Sequence, residues 1–244
     1  MKHYRTYSYD IFDTCLVRLC GEPANLFDLL AYEAFQGEVS TEVRMEFVAA
    51  RRQCEKATLQ ATYESLSFEH PQLKSRDELM QIEMDCERRV LKPVVSMRDE
   101  VQRRRATGAH IVFISDMYLP SSFLHEVLTE TGFFAEGDTL YVSGDCGCSK
   151  QNGALFRLVH EHEHLSYRHW HHTGDNPQAD GRAPRHLGIR TRLLSHPYAP
   201  YEEHWRNHFF SLQRDIAGTM AGLSRALRLS DPSWTKADTI IGGG

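Results

Sequence analysis

Two aspartates, Asp10 and Asp13, stand at the end of the apolar, aromatic stretch "YSYDIFDTCLVR", where a buried strand would finish. Three further features of that kind follow: Ser115 in "FISD", Lys150 in "CSKQNGALF", and Asp175 with Asp180 in "TGDNPQAD". A buried carboxylate is costly unless it is paired or holds a cation, so charge at a strand end marks either a site or a turn cap. Carboxylates, a hydroxyl and a lysine gathered at one place are the parts of a phosphate site. A carboxylate can attack a phosphoryl group only where positive charge offsets the repulsion between two anions.

Those residues need a scaffold that brings them to one edge. Apolar, β-rich runs at 7–12, 110–114, 139–142, 167–173 and 189–194 alternate with helical patterns in the later part of the chain, which predicts a parallel sheet. In a doubly wound sheet, ligands bind outside the carboxyl ends of the strands. There the first strand would deliver Asp10 and the second Ser115, the loop after the third Lys150, and the fourth Asp175 and Asp180. The segment "PSSFLHEVLTETG" predicts a helix opened by Pro and Ser and stopped by Gly132, and "MRDEVQRRRAT" predicts one running from a cap at Ser96 to Gly108.

Between the first two strands the chain is far longer than a crossover helix requires and carries only helical patterns. "ANLFDLLAYEAFQG" is amphipathic, 40–66 reads as one long helix, and 75–91 opens with a capping box from Ser75 to Glu78. The expected architecture is an α/β, three-layer Rossmann-like parallel sheet core (1–19 and 95–200), an inserted helical domain (20–94) and a C-terminal helical extension (201–244).

The 244 residues are 41% hydrophobic and 25% charged, the composition of an ordinary globular protein. A net charge of −5 argues against a non-specific nucleic-acid binder. No apolar run approaches the ~20 residues that span a bilayer, and "MKHYRTY" lacks a signal-peptide core, so a cytoplasmic location is expected. The cysteines at 15, 20, 54, 86, 146 and 148 show no framework spacing and read as reduced thiols.

In order and placement, Asp10 to Thr14, Ser115, Lys150 and the run from Gly174 to Asp180 resemble the four motifs of the haloacid dehalogenase (HAD) superfamily. The resemblance implies a Mg²⁺-dependent phosphohydrolase acting on a small phosphorylated metabolite such as a sugar phosphate. Asp10 would be the nucleophile that forms an aspartyl-phosphate. Ser115 and Lys150 would grip the phosphoryl oxygens and Asp180 would orient Lys150. Asp10, Phe12 and Asp175 would make up the metal set, and Thr14, Asp116 and Asn176 would line the substrate. The helical insert resembles this superfamily's first-type cap, a lid that contributes specificity. "DIFDT", "ISDMYLP" and "SKQNGALF" further resemble a bacterial branch found beside, or fused to, glycosyltransferases of surface-polysaccharide pathways, which implies a glycosyltransferase as partner or fused domain.

One position departs from the phosphatase pattern. Where superfamily phosphatases carry an acid that protonates the leaving group, this chain has Phe12, and Asp13 does not fill that slot. Two alternatives therefore stand beside the phosphatase: a non-catalytic module that binds a phosphorylated ligand in support of a glycosyltransferase, and a phosphonatase or dehalogenase, for which the insert offers only Lys56 and Lys74 as Schiff-base candidates. Arg18 reads equally as a substrate contact near the insert or as a surface salt bridge. The histidines at 160–164 and 169–172 and the "CGC" at 146–148 read as solvated or strand positions rather than metal sites. Trp205, Phe209, Phe210 and Leu212 read as one face of a helix packing on its own domain.

Overall fold

β1 (Thr6–Tyr9) is followed by two linking strands, β2 (Leu16–Arg18) and β3 (Leu91–Pro93), and then by β4 (His110–Ser115), β5 (Thr139–Val142), β6 (Trp170–Gly174) and β7 (Arg190–Leu193). The computed structural model describes residues 5–196, 198–208 and 214–231, without the side chains of 205–208 and 214–217. Five strands form one parallel sheet in the order β5-β4-β1-β6-β7, while β2 and β3 pair with each other. From β1 the crossovers run outward to β5 on one side and to β7 on the other. The order therefore reverses between β1 and β6, and the crevice beyond their carboxyl ends is the topological switch point.

Alternate strand residues face opposite sides of the sheet. On one side Val112, Ile114 and Trp170 pack against Leu155, Phe156 and Val159 of the helix Ala154–His162. The Phe156 ring lies 5.8 Å from Trp170 and 4.8 Å from His172. On the other side Tyr9 and Phe113 meet at 6.3 Å, Phe133 lies edge-on to Phe113, and Arg104 of the helix Val95–Ala106 sits over the Tyr7 ring. Each such fully buried side chain contributes roughly 1.5–3 kcal/mol. The result is an α/β Rossmann-like fold with a helical insertion.

Several boundaries differ from the sequence reading. β1 ends at Tyr9 rather than at 12, because Asp10–Leu16 closes a tight loop in which the N–H groups of Cys15 and Leu16 donate to the Ile11 carbonyl, both at 2.8 Å. Residues Tyr167–His169 make a single 3₁₀ turn before β6. The long helix expected over 40–66 is two, Thr41–Gln53 and Leu59–Glu64, since Thr58 Oγ1 accepts the Ala61 N–H and starts a new N-terminus. The helix expected to be capped by Ser96 begins at Val95 and lacks a side-chain cap. The capping box at Ser75 is present as read.

The chain divides into two compact units: Met1–Val17, Lys92–Pro197 and Arg228–Gly244 in one, Arg18–Leu91 and Tyr198–Leu227 in the other. Of the C-terminal helical extension read as 201–244, the described residues 201–208 and 214–227 fall in the second unit. A Cβ on Gly222 would come within 2.1 Å of Gly21 Cα, an approach that only two glycines permit. Trp205, Phe209, Phe210 and Leu212 lie outside the residues whose side chains are described. Among the described residues no helix is long and apolar enough to cross a membrane.

The second unit is built on helices Leu26–Glu33, Thr41–Gln53, Leu59–Glu64 and Arg76–Val90, with a buried ion pair at its centre. Arg51 Nε and Nη2 donate to the two Glu83 oxygens at 2.8 and 2.6 Å, Tyr63 Oη donates to Glu83 at 2.7 Å, and the guanidinium lies over Phe27. Removing one member of a buried pair leaves the other charge uncompensated. Arg51→Ala should therefore destabilise the protein by ~3–5 kcal/mol, and Arg51→Met with Glu83→Leu should cost clearly less. Urea denaturation of the three chains measures both, and an Arg51→Ala protein as stable as the wild type would contradict the role given to the pair.

Candidate active site

The loop after β1 sets the site. Asp10 continues the ladder to β6 by donating its N–H to the Thr173 carbonyl at 2.8 Å, so its side chain is held at the switch point. Asp13 then takes φ +52°, a left-handed conformation that aspartate tolerates, and its N–H donates to the Leu16 carbonyl. This turn buries Thr14 completely, and its Oγ1 has no hydrogen-bond partner among the described residues. Ser115 is buried at the end of β4, at the same carboxyl edge.

Lys150 joins the strand ends. Its buried Nζ donates to Asp10 Oδ1 at 2.7 Å and to Asp180 Oδ1 at 2.6 Å. Asp180 Oδ1 also meets His172 Nε2 at 3.0 Å, and its Oδ2 accepts the Asn176 N–H at 2.9 Å. Gly174 is required here because a Cβ on it would fall 2.3 Å from Asp180 Cγ. The sequence-predicted Asp10, Ser115, Lys150, Asp175 and Asp180 all come together in this unit.

Three residues expected to touch substrate have other partners. Asp116 accepts the Lys150 N–H at 2.8 Å and the Ser149 hydroxyl at 2.9 Å, which fixes the loop that carries the lysine. Asn176 Oδ1 caps the turn Pro177–Arg182 by accepting the N–H groups of Gln178 and Ala179. The Arg18 ion pair is buried rather than at the surface: Nε and Nη2 both bind Glu87, the latter at 2.9 Å. Sequence reasoning also missed His172, Ser8 and Trp170, polar groups inside a strand pair. Buried polar types at alternate positions of an otherwise apolar strand were the available signal.

One cation faces three carboxylates. Burial pushes the Asp10 carboxyl up to about 8, with Asp180 and Asp175 adding to the shift and Lys150 opposing it. Burial, then Asp13 and Asp180, raises Asp175 as well, although it shares a hydrogen bond with Asp10. Burial would also raise Asp180, but the hydrogen bond from His172 and the charge of Lys150 hold it below the ordinary carboxylate range. Burial works against the Lys150 charge, yet Asp10 and Asp180 outweigh it and raise the lysine above its usual value. Oxygens of Asp10, Asp175 and Asp180 lie within 4.8 Å of one another, the one such grouping of metal-ligating side chains among the described residues. Three hydrogen bonds hold Asp180, so the carboxyls left without a matching cation are Asp10 and Asp175, a hard oxygen pair that suits a divalent cation such as Mg²⁺.

A raised carboxyl contributes stability that is complete below its unfolded value and is lost as pH rises through its folded value. For Asp10 the window runs from 3.8 to about 8. Without metal, wild-type stability should therefore decline relative to Asp10→Asn across that range. The difference between the two chains removes the opposite slope of His172, whose pKa burial lowers. Mg²⁺ should raise the wild-type Tm more at pH 8 than at pH 5 and leave the variant nearly unmoved; thermal melts across pH that run parallel for the two chains would contradict this charge balance.

No protein-family model and no curated protein matches the sequence. Solved structures do resemble it. The HAD-hydrolase YfnB from Bacillus subtilis, bound to magnesium, aligns with a TM-score of 0.56 at 17% identity over 81% of this chain and 92% of its own. A dehalogenase in an intermediate complex aligns at 0.54 with 14% identity, over 82% of this chain and 88% of its own. A HAD family enzyme from Bacteroides thetaiotaomicron, in complex with magnesium and inorganic phosphate, aligns at 0.53 with 11% identity, over 79% and 94%. At these identities the likeness is one of architecture: the chain has the α/β fold of HAD hydrolases.

Proposed function

We propose that the chain is a phosphohydrolase of the HAD superfamily working through an aspartyl-phosphate at Asp10. The observation that carries the reading is the buried Lys150 ammonium bridging Asp10 and Asp180 at the switch-point crevice. An Asp10 oxygen attacks phosphorus while the bond to the leaving group breaks, and that group departs with the electron pair. Water then attacks the aspartyl-phosphate, releasing inorganic phosphate and regenerating Asp10. Lys150 offsets charge on the phosphoryl oxygens, and the hydroxyls of Ser115 and Thr14 donate to them, which gives the orphaned Thr14 Oγ1 a partner. Asp10, Asp175 and the main-chain oxygen of Phe12 would hold Mg²⁺, which when bound neutralises phosphoryl charge. The magnesium in YfnB, and the magnesium and phosphate in the Bacteroides enzyme, support this assignment.

The helical insert takes the part of a first-type cap that selects a small phosphorylated metabolite such as a sugar phosphate. The motif resemblance supports an enzyme that serves surface-polysaccharide synthesis beside a glycosyltransferase. Phe12 and the dehalogenase neighbour favour a second reading, carbon–halogen hydrolysis, but that reaction gives a surplus of clustered carboxylates no task. A phosphonatase would need an amine of depressed pKa in an apolar setting, and Lys56 is exposed while Lys74 is only partly buried.

Asp10→Asn should reduce hydrolysis of aryl and acyl phosphates to background while the protein stays folded by circular dichroism, because an amide cannot attack. Turnover comparable with the wild type would refute the nucleophile. A screen of acyl, aryl and sugar phosphates with and without Mg²⁺ tests the reaction itself, and absence of turnover on all of them would favour a phospholigand-binding module. Phe12 also predicts a substrate preference. A general acid is worth ~10²–10⁴-fold, and phenylalanine cannot donate a proton, so kcat/KM should rise steeply as leaving-group pKa falls. Phe12→Asp should flatten that dependence; a flat profile in the wild type would place the acid elsewhere.

A further inference from the structure

Ser8 and His172 are register partners across β1 and β6, both fully buried on the face that the helix Ala154–His162 covers. The Trp170 indole N–H donates to Ser8 Oγ at 2.7 Å, Ser8 Oγ lies 2.7 Å from His172 Nδ1, and His172 Nε2 lies 3.0 Å from Asp180 Oδ1. That last oxygen is the one that accepts Lys150. The direction of each bond follows from donor chemistry. An indole only donates and a carboxylate only accepts, so His172 Nε2 carries the proton that reaches Asp180. Ser8 Oγ already accepts from Trp170, which turns its own proton to Nδ1. Donors and acceptors then match at every link, from Trp170 through Ser8 and His172 to Asp180. Burial keeps the imidazole neutral, as this arrangement requires. His171, one residue away, lies on the opposite face, stacked on Tyr7 at 5.0 Å, and takes no part.

We propose that His172 is a positioning residue: its Nε2–H, locked in that tautomer by Ser8 and Trp170, fixes the Asp180 carboxylate and through it the Lys150 ammonium beside Asp10. The proposal rests on the phosphohydrolase reading for its catalytic consequence. Without the imidazole donor, Asp180 Oδ1 would hold only the lysine, and the carboxylate could turn about the Asn176 N–H that anchors its other oxygen. Lys150 would then follow Asp180. An ångström of misplacement in a group that meets the reacting phosphoryl costs on the order of 10²-fold.

The test compares His172→Phe, which keeps a buried ring but no donor, with His172→Gln, whose amide N–H can occupy the place of Nε2–H. On an aryl phosphate with Mg²⁺, the phenylalanine variant should lose ~10–100-fold in kcat with KM little changed, the scale typical of residues that orient a catalytic group from behind. The glutamine variant should recover most of that loss even where the two melt at similar temperatures. Unchanged kcat in the phenylalanine variant overturns the proposal, and so do equal kcat losses in the two variants, which would mark a purely structural role. In parallel, ¹⁵N-histidine NMR of the wild-type chain should read His172 as the Nε2–H tautomer, and an Nδ1–H tautomer overturns the relay. Should the wild type hydrolyse no phosphate at all, the phosphohydrolase reading falls, while the tautomer still decides whether the relay exists.

Discussion

A single buried ammonium holds the strand ends together. Lys150 Nζ reaches a carboxylate on each side, Asp10 after β1 and Asp180 beyond β6, and its charge offsets the cost of burying both. The surrounding structure serves to keep that contact in register. Asp116 binds the main chain at Lys150, Asn176 caps the turn that presents Asp180 and also binds it through its own N–H, and Gly174 leaves the space that Asp180 fills. These residues act on the lysine and its partners, although the motif resemblance implied substrate contact for Asp116 and Asn176.

Identical side chains separate here by environment. Asp10 and Asp180 share the same lysine, yet burial and neighbouring acids push Asp10 up, while a histidine donor and the lysine charge hold Asp180 down. A carboxylate that accepts three hydrogen bonds from fixed donors is an anchor. One that burial destabilises as an anion is poised to gain a cation or to attack an electrophile. The position of Asp10 at the switch point and the paired donors on Asp180 therefore agree with the different parts that the motif resemblance implies for the two aspartates.

The motif positions were legible because strand ends announce themselves: an apolar run stops, a charged or hydroxylic residue follows, and a turn begins. Asp10, Ser115 and Asp175 share that signature, while Lys150 and Asp180 lie further along the segments after β5 and β6, and the parallel fold then follows from the alternation of elements. Side-chain direction was not legible. Arg18, Asp116 and Asn176 have the chemistry of substrate contacts and are used internally, a choice made by neighbours distant in sequence, such as Glu87 for Arg18. The break at 54–58 depended on Thr58 acting as a cap within an otherwise helical pattern. β2 and β3 carry three residues each, too few for a period to register. His172 lay in a histidine-rich strand whose alternation shows that two faces exist, but not which one meets an aspartate.

The chain contains two kinds of buried charge, and the contrast between them separates site from scaffold. In the helical unit Arg51 and Glu83 match one guanidinium to one carboxylate, with Tyr63 completing the hydrogen bonds, so that net charge and polar valence both close. Such a pair adds little over an apolar core but is costly to break. At the switch point Asp180 and His172 are likewise held by hydrogen bonds, whereas the ions do not match one to one: Asp10 and Asp175 are raised carboxyls beyond the one that Lys150 can pair through Asp180. An ion network kept only for structure would gain from neutralising that excess, by an amide in place of either acid. Its retention beside a rigid, fully satisfied relay is the arrangement expected where the missing positive charge arrives with a ligand, and where the groups that meet the ligand must not move when it does.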